Sequence, residues 1–299
     1  MYLKIKHKYY FAIVLFFVLT FIFLCFCMKL KNESKYSCFI KIKGSDTIVN
    51  LMQELSEEFM NRYQHFNISI SGGGSGVGFM SLVNKMCDIT MSSRKIDKKE
   101  TVLAKNKNIY PYKFKIGLDG VAIIVNKNNC INKLTIEQLK NIFTERIINW
   151  KELGWENKKI IVLSRESNSG TYMLFKKHVL GDDNEFGVKS LIMPSSQAIY
   201  NEVSKNPNAI GYVGIGFLNK SVKAVSISTK DDRYIYPELK NIMNHSYPML
   251  RPLYLYTNGK PDDNIKEFID YILSENGQKI ILKTGFVPIK SIINKKCEK

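Results

Sequence analysis

Residues 160–175 read IIVLSRESNSGTYMLF, so that an apolar run passes through a turn rich in Ser and Gly into a second apolar run. The first run, residues 160–163, predicts a strand, and a helix is predicted to begin near Thr171. The N-terminus of a helix presents unsatisfied backbone N–H groups and the positive end of the helix dipole, both of which attract anions. One such turn is most simply explained as an N-cap made by Ser or Thr.

Two other junctions repeat this pattern. Residues 44–47 read GSDT after a strand predicted at residues 39–42, and residues 73–76 read GGSG after a strand predicted at residues 67–71. In open α/β sheets, turns of this kind lie at the carboxyl ends of the strands, where ligands bind. Glycine lets the backbone approach a ligand, and Ser or Thr hydroxyls add directed hydrogen bonds. Three junctions of similar chemistry therefore favour a shared anion site over three unrelated caps.

Arg165 belongs to the same pattern, because it follows the strand of residues 160–163 and precedes Ser169 by four residues. Its guanidinium group supplies planar, bidentate donors to an oxyanion. We therefore expect Arg165 to bind the same anion as the helix N-terminus. The alternative is a surface arginine paired with the neighbouring Glu166.

The rest of the chain alternates strands with helices. One apolar helical stripe follows GSDT and consists of Ile48, Leu51, Met52, Leu55 and Phe59. Further strands are predicted at residues 120–126, 208–213 and 222–227, and further helices at residues 264–273 and 275–282. Thr135 and Gln138 match a capping box that opens another helix. The alternation predicts an α/β fold with largely parallel sheets.

The composition is that of a folded, basic protein. Of the 299 residues, 45% are hydrophobic and 12% are aromatic, which excludes a disordered chain. The formal net charge is +17, but the lysines are scattered and mark no element that would read a nucleic-acid groove. No nucleic-acid partner is therefore predicted.

The first 28 residues have the pattern of a signal peptide or a membrane anchor. Three lysines precede the uncharged residues 9–28, which are numerous enough to span a bilayer. Cys25 and Cys27 stand at the end of this segment, where a lipoprotein carries its acylated cysteine. A lipid anchor and an uncleaved helix both fit. Either one places the rest of the chain outside the cytoplasm, with residues 29–37 as a tether.

The remaining cysteines allow three complete disulfide pairings, among which the sequence does not choose; they are Cys38, Cys87, Cys130 and Cys297. No Cys or His spacing typical of a zinc site is present. We therefore expect neither a metal nor a cofactor.

Nine stretches carry a resemblance to a known family. In chain order they read GSDT, SGGGSGVG, DITMSSRKI, DGVAIIVN, LTIEQLKNIFTERIINWKELG, RESNSGTYMLF, NAIGYVGIGFL, YPMLRPLYLYT and FIDYILSENGQKIILKTGFVPI. Together they resemble the phosphate-binding proteins of bacterial ABC importers. The resemblance implies a two-lobed, type II-like periplasmic-binding-protein fold, in which each lobe is a mostly parallel sheet flanked by helices and the ligand lies between the lobes. Lobe I would comprise residues 38–120 plus 252–299, and lobe II residues 121–251.

The resemblance also implies which residues bind inorganic phosphate. They are Ser45, Thr47, the backbone N–H of Ile48, Ser75, Ser93 and Arg94 from lobe I, and Arg165, Ser169, Gly170 and Thr171 from lobe II. Two positions depart from some members of the family, because Ser93 and Ser167 stand where those members carry acidic residues. Selectivity against sulfate or arsenate is therefore left open, as is the group that orients Arg165.

By the same resemblance we expect a monomer without catalytic activity that hands phosphate to the ABC permease subunits in the membrane. A serine hydrolase is the sharpest enzymatic alternative. Its nucleophile elbow needs Gly two residues before and after the serine, but Ser75 has Gly73 before it and Val77 after it. A tethered anion sensor, a protein-interaction module of the same fold and a receptor for another tetrahedral oxyanion remain as alternatives.

Overall fold

The computed structural model describes residues 16, 18–23, 37–228 and 233–289. Cys25, Cys27 and Cys297 lie outside these ranges, so the lipid anchor stays a prediction and the pairing of Cys297 stays open. The cysteines that the described ranges contain are free thiols, namely Cys38, Cys87 and Cys130. Within the same ranges, no helix combines the length and the apolar character needed to cross a bilayer.

Lobe I begins with three strands that alternate with helices. The elements are β1 (Cys38–Gly44), α1 (Val49–Arg62), β2 (Phe66–Ser71), α2 (Ser75–Val83), β3 (Ile89–Ser92) and α3 (Lys98–Asn106). A short 3-10 turn, Asp46–Ile48, leads into α1, and the predicted apolar stripe of this helix is buried. β1 pairs in parallel with both β2 and β3, as the sequence predicts.

The chain then passes through lobe II. The elements are β4 (Pro111–Asn126), β5 (Lys133–Leu134), α4 (Ile136–Phe143), β6 (Ile161–Arg165), α5 (Gly170–Phe175), β7 (Leu191–Met193), α6 (Ser196–Lys205), β8 (Ala209–Gly214), β9 (Val222–Ser228), β10 (Tyr234–Ile235) and α7 (Leu239–Met243). β6 pairs in parallel with β7 and β8. The chain returns to lobe I through β11 (Leu250–Asn258), α8 (Asp263–Leu273), α9 (Glu275–Lys283) and β12 (Val287–Pro288).

β4 and β11 connect the two lobes. Between Pro111 and Gly120, β4 pairs antiparallel with β11, and between Val121 and Val125 it pairs antiparallel with β8. β11 also pairs with β3, so the strand order within lobe I is β2-β1-β3-β11-β4. One 16-residue strand therefore contributes to the sheets of both lobes.

Each lobe has its own apolar core. In lobe I, Phe59 of α1 meets Phe268 of α8 edge-on, with ring centroids 5.0 Å apart. In lobe II, Phe143 of α4 packs on Phe175 of α5, with ring centroids 4.4 Å apart. The lobe I core draws on residues 40–116 and 253–286, and the lobe II core on residues 118–249 with Val287. This division supports the lobe boundaries at residues 120 and 252, which stay a prediction.

The predicted capping box and the strand predicted at residues 120–126 can be compared directly with the structure. The capping box at Thr135 and Gln138 is confirmed, because each residue's side chain accepts a hydrogen bond from the other's backbone N–H. The strand predicted at residues 120–126 is longer than expected, since β4 begins at Pro111. The first half of β4 contains the exposed residues Lys113 and Lys115, so the apolar pattern did not predict a strand there. This half is a strand because it forms backbone hydrogen bonds with β11.

Candidate anion-binding site

Three serine hydroxyls of lobe I meet at the ends of its strands. Ser45 follows β1, Ser75 is the first residue of α2 and Ser93 follows β3. Ser45 Oγ donates to Ser93 Oγ over 2.9 Å, and the backbone N–H of Ser93 donates to Ser75 Oγ over 3.2 Å. All three side chains are buried. Gly74 has a φ of 94°, a conformation that favours glycine, and this turn sets the start of α2 beside Ser93.

The start of α5 in lobe II closes over these hydroxyls. Thr171 Oγ1 lies 3.0 Å from Thr47 Oγ1 of lobe I, within hydrogen-bond distance. Beside this pair, the backbone N–H of Gly76 in lobe I donates to the carbonyl oxygen of Asn168 in lobe II over 3.1 Å. The two lobes are therefore in direct contact at the predicted junctions.

Gly170 allows this approach because it has no side chain. A Cβ atom built on Gly170 would lie 2.5 Å from Ser93 Oγ and 2.8 Å from Ser75 Oγ, closer than such atoms can pack. All three predicted junctions thus meet in one place. Their hydroxyl-bearing side chains form what we call the hydroxyl cluster, which consists of Ser45, Thr47, Ser75, Ser93 and Thr171.

Ser169 and the backbone of Ile48 lie next to this cluster and form local hydrogen bonds. Ser169 is the N-cap of α5, and its Oγ accepts from the backbone N–H groups of Thr171 and Tyr172 over 3.2 and 3.4 Å. The backbone N–H of Ile48 donates to the carbonyl oxygen of Ser45 over 3.2 Å. Their contacts with a ligand stay predictions.

Arg165 is buried at the end of β6 and is held by partners from both lobes. Its Nη2 donates to Asp46 Oδ2 of lobe I over 2.7 Å. Within lobe II, its donors reach the carbonyl oxygens of Met193 and Pro194 and the hydroxyl of Ser196 over 3.1–3.2 Å. The surface arginine that we considered as an alternative is therefore excluded, because the guanidinium group lies inside the lobe interface.

Arg94 is not brought into the hydroxyl cluster. Its guanidinium group forms a two-bond ion pair with Glu100, at 2.6 and 2.8 Å, and lies over the ring of Phe79 at 5.1 Å. Glu100 also closes the capping box of α3 with Asp97. Arg94 therefore contributes to the start of α3, and its predicted contact with a ligand has no support from this arrangement.

A buried ion pair that the sequence reasoning missed lies directly beside the cluster. Asp119 of β4 and Arg251 of β11 face each other in the antiparallel ladder, with Arg251 Nε and Nη2 2.9 and 2.8 Å from Asp119 Oδ2. Arg251 Nη2 also donates to Thr47 Oγ1 and Thr171 Oγ1, each over 3.1 Å. Arg251 thus contacts a threonine of each lobe from the strands that connect them.

The charges of this pair depend on each other. Burial raises the pKa of the Asp119 carboxyl, and the Arg251 guanidinium and the backbone N–H of Ile215 oppose that rise. Burial also lowers the pKa of Arg251, and Asp119 opposes that fall. Because a guanidinium group is not deprotonated in proteins, Arg251 stays charged at neutral pH.

The arrangement suits a small oxyanion. Hydroxyls donate or accept as needed, and arginine provides charged, planar donors. The two buried arginines are each neutralised by one aspartate, Asp46 for Arg165 and Asp119 for Arg251, so the pairs add no net charge. No group of three or more His, Cys, Asp or Glu residues that could hold a metal occurs within the described ranges.

A family model described as a PBP superfamily domain matches residues 31–276. Over 274 residues the chain is 32% identical to the phosphate-binding protein PstS of Pseudomonas aeruginosa, an alignment that covers 86% of this chain and 84% of that protein. It is 34% identical over 267 residues to the phosphate-binding protein PstS of Staphylococcus aureus strain USA300, covering 86% of this chain and 79% of that protein.

Solved structures share the fold over most of the chain. One is a substrate-binding protein of Clostridium perfringens, assigned to a phosphate ABC transporter and solved with bound phosphate, at 33% identity and a TM-score of 0.77 over 84% of this chain and 100% of that one. Another is an ABC-type phosphate transport receptor of Vibrio cholerae, at 32% identity and a TM-score of 0.65 over 83% of this chain and 99% of that one.

Proposed function

This chain belongs to the PBP superfamily and to its phosphate-binding members, and from that membership we propose that it binds inorganic phosphate and delivers it to the permease of an ABC importer. The observation that carries the proposal is the hydroxyl cluster. Both lobes contribute to it, and Arg251 contacts it from the connecting strands. A ligand held between lobes stabilises the closed arrangement by binding it better than the open one.

The proposed ligand residues are those that the family resemblance implies, apart from Arg94, and the contacts within the hydroxyl cluster support this choice. Thr47 and Thr171 contact each other across the lobes, and Ser93 joins Ser45 to Ser75. Ser93 occupies the position at which some relatives carry a carboxylate. Its hydroxyl can accept the proton of hydrogen phosphate, but it lacks the negative charge with which a carboxylate would repel sulfate. Sulfate is therefore the most informative competitor.

The proposal includes a location and a mode of action. The N-terminal apolar segment, with Cys25 or Cys27 as an acylated residue or with the helix left uncleaved, would tether the protein on the outer face of the membrane. The protein would act as a monomer and without catalysis, since the work of a substrate-binding protein is capture and release. Its partners would be phosphate and the permease subunits.

Titration calorimetry tests the ligand assignment. The full chain, purified in detergent and exchanged into phosphate-free buffer, is titrated with phosphate, sulfate and molybdate. We expect saturable phosphate binding in the micromolar range or tighter, and weaker binding of the other two anions. A silent titration with all three would contradict the proposal and favour a protein-interaction module. Tighter binding of sulfate or molybdate would reassign the ligand to another tetrahedral oxyanion.

Delivery needs a separate test, because a sensor of the same fold would also bind phosphate. Deleting the gene should abolish high-affinity uptake of radiolabelled phosphate by intact cells, and reintroducing the full chain should restore it. Phosphate binding by the purified protein combined with unchanged uptake in the deletion strain would favour the tethered sensor.

A further inference from the structure

Arg251 is held in one orientation by contacts on one edge of its guanidinium group. Its Nε donates to Asp119 Oδ2 over 2.9 Å, and its Nη2 lies 2.8 Å from the same oxygen. Asp119 is itself fixed, because its Oδ1 accepts the backbone N–H of Ile215 over 3.1 Å. The arginine side chain is 3% exposed and the aspartate is fully buried. The pair therefore sets the direction of the remaining N–H bonds of Arg251.

Those remaining bonds point toward the hydroxyl cluster. In a planar guanidinium group, the outer N–H bonds of Nη1 and Nη2 run parallel at the end of the fork. Nη2 donates to Thr47 Oγ1 and Thr171 Oγ1, each over 3.1 Å, and because Nε faces Asp119 we assign these contacts to the outer bond of Nη2. The outer bond of Nη1 must therefore point to the same side, next to the two threonines.

Nη1 of Arg251 is buried and has no hydrogen-bond partner among the described residues. A buried charged donor without a partner is costly, and such donors are rare in folded proteins. Fork-shaped, parallel N–H bonds match two oxygens of a tetrahedral oxyanion. An oxyanion beside Thr47 and Thr171 would satisfy Nη1 and give Nη2 a stronger acceptor than a neutral hydroxyl.

We infer that Arg251 is a phosphate-binding residue, whose Nη1 and Nη2 grip the anion end-on from the strands that connect the lobes, while Thr47 and Thr171 turn their hydroxyls to the same anion. The inference rests on the proposed function, since it names a further residue of that site. It also assigns Asp119 a role as the positioning residue that aims Arg251. The ligand would then lie between two arginines, Arg165 and Arg251, each paired with its own aspartate.

The test compares phosphate affinity in variants that keep the pair balanced. Arg251→Lys retains the positive charge but loses the fork, and Asp119→Asn combined with Arg251→Gln removes both charges and leaves neither one unpaired. We expect each to lower phosphate affinity about ten- to a hundredfold, the range for a lost hydrogen bond to a charged group. Arg62→Lys is the matched control, because Arg62 is exposed and lies over the Tyr271 ring, 5.5 Å from its centroid.

Two readouts separate a ligand contact from a structural role. Thermal unfolding reports whether each variant is folded, and affinity is measured by calorimetry on the full chain. A crystal structure of the wild-type protein grown with phosphate should place a phosphate oxygen within about 2.7–3.2 Å of Nη1. A water molecule bound to Nη1 in place of phosphate would overturn the inference.

The possible failures are distinguishable. If the wild-type chain does not bind phosphate, the proposed function and this inference both fall. If the wild-type chain binds phosphate and the folded Arg251→Lys and double variants bind it equally well, the inference alone falls and the proposed function stands.

Discussion

Asp46 of lobe I accepts a 2.7 Å hydrogen bond from Arg165 of lobe II, so the arginine at the site is oriented by a carboxylate from the opposite lobe. Asp46 is held in place by its other oxygen, which accepts the backbone N–H of Gly73 over 2.9 Å. The acidic partner of Arg165 stands in GSDT, and the ion pair spans the cleft between the lobes.

We expect Asp46→Asn to open the cleft when phosphate is removed, because it weakens an ion pair that joins the lobes. Small-angle X-ray scattering should show a larger radius of gyration than that of the wild type, and adding phosphate should reverse the increase. Asp270→Asn is the matched control, since Asp270 forms an exposed pair with Lys266 on one helix. Equal radii of gyration for the phosphate-free wild type and Asp46→Asn would show that this pair does not hold the lobes together.

Arg165→Ala should cost about 2–5 kcal/mol of phosphate binding free energy, the range for removing one side of a buried charge pair. Part of that loss would come from Asp46, whose negative charge is left facing the anion. Titration calorimetry on the full chain measures this loss of phosphate binding free energy. An affinity equal to that of the wild type would remove Arg165 from the site.

Thr47→Ala should weaken phosphate binding by about 1–3 kcal/mol, because a hydrogen bond to a charged group is lost. Thr47→Ser keeps the hydroxyl and should bind nearly as well as the wild type. Ser169→Ala should also weaken binding, and it should lower thermal stability as well, since Ser169 caps α5. If Thr47→Ser loses as much phosphate affinity as Thr47→Ala, the hydroxyl of Thr47 does not bind the phosphate.

Gly170→Ala should prevent full closure of the lobes, because its methyl group would overlap Ser93 Oγ and Ser75 Oγ. Overpacking of this kind costs about 1–3 kcal/mol, which should appear as weaker phosphate binding. Without phosphate, the melting temperature of this variant should stay close to that of the wild type, since an open arrangement relieves the overlap. Wild-type affinity in this variant would mean that the ligand-bound lobes lie farther apart than they do here.

Tyr256 should make the free energy of unfolding depend on pH at alkaline values. Burial raises its pKa to about 12, and its hydroxyl accepts the backbone N–H of Ile96 over 3.2 Å. An unfolded tyrosine ionises near pH 10, so this contribution to stability is complete below about pH 10 and is lost as the pH rises toward about 12.

The measurement is urea unfolding of the wild type and of Tyr256→Phe between pH 9 and pH 11.5. Relative to the phenylalanine variant, the wild type should lose up to about 1.4 kcal/mol per pH unit above about pH 10. A difference between the two proteins that stays constant with pH would contradict the assignment.

The sequence contained most of what positions the site. Gly/Ser/Thr turns after short apolar strands predicted where helices begin, and those turns do converge. The turns after β1 and β2 lie at one edge of the lobe I sheet, and the turn after β6 meets them across the lobe interface. Thr47, Ser75 and Gly170 entered the candidate site by this reasoning. The same reasoning included Arg94, but its guanidinium group pairs with Glu100 and does not lie at the hydroxyl cluster.

The sequence analysis did not identify Arg251 and Asp119, because neither residue belongs to one of the Gly/Ser/Thr turns. They lie inside strands far apart in sequence, and their pairing follows from the register between β4 and β11, which local patterns do not contain. A signal was present nonetheless. Each is a single charged residue within an otherwise apolar strand segment, in DGVAIIVN and in YPMLRPLYLYT, and a charge in such a place is seldom buried unless it has a partner.

The insertion of β11 between β3 and β4 also bears on how the protein is made. β3 and β4 are early in the chain, but neither pairs with the other, and the strand that joins them arrives more than a hundred residues later. Lobe II, in contrast, is nearly continuous. The strands of lobe I that a ribosome synthesises first therefore cannot form their complete sheet until β11 has been synthesised near the opposite terminus.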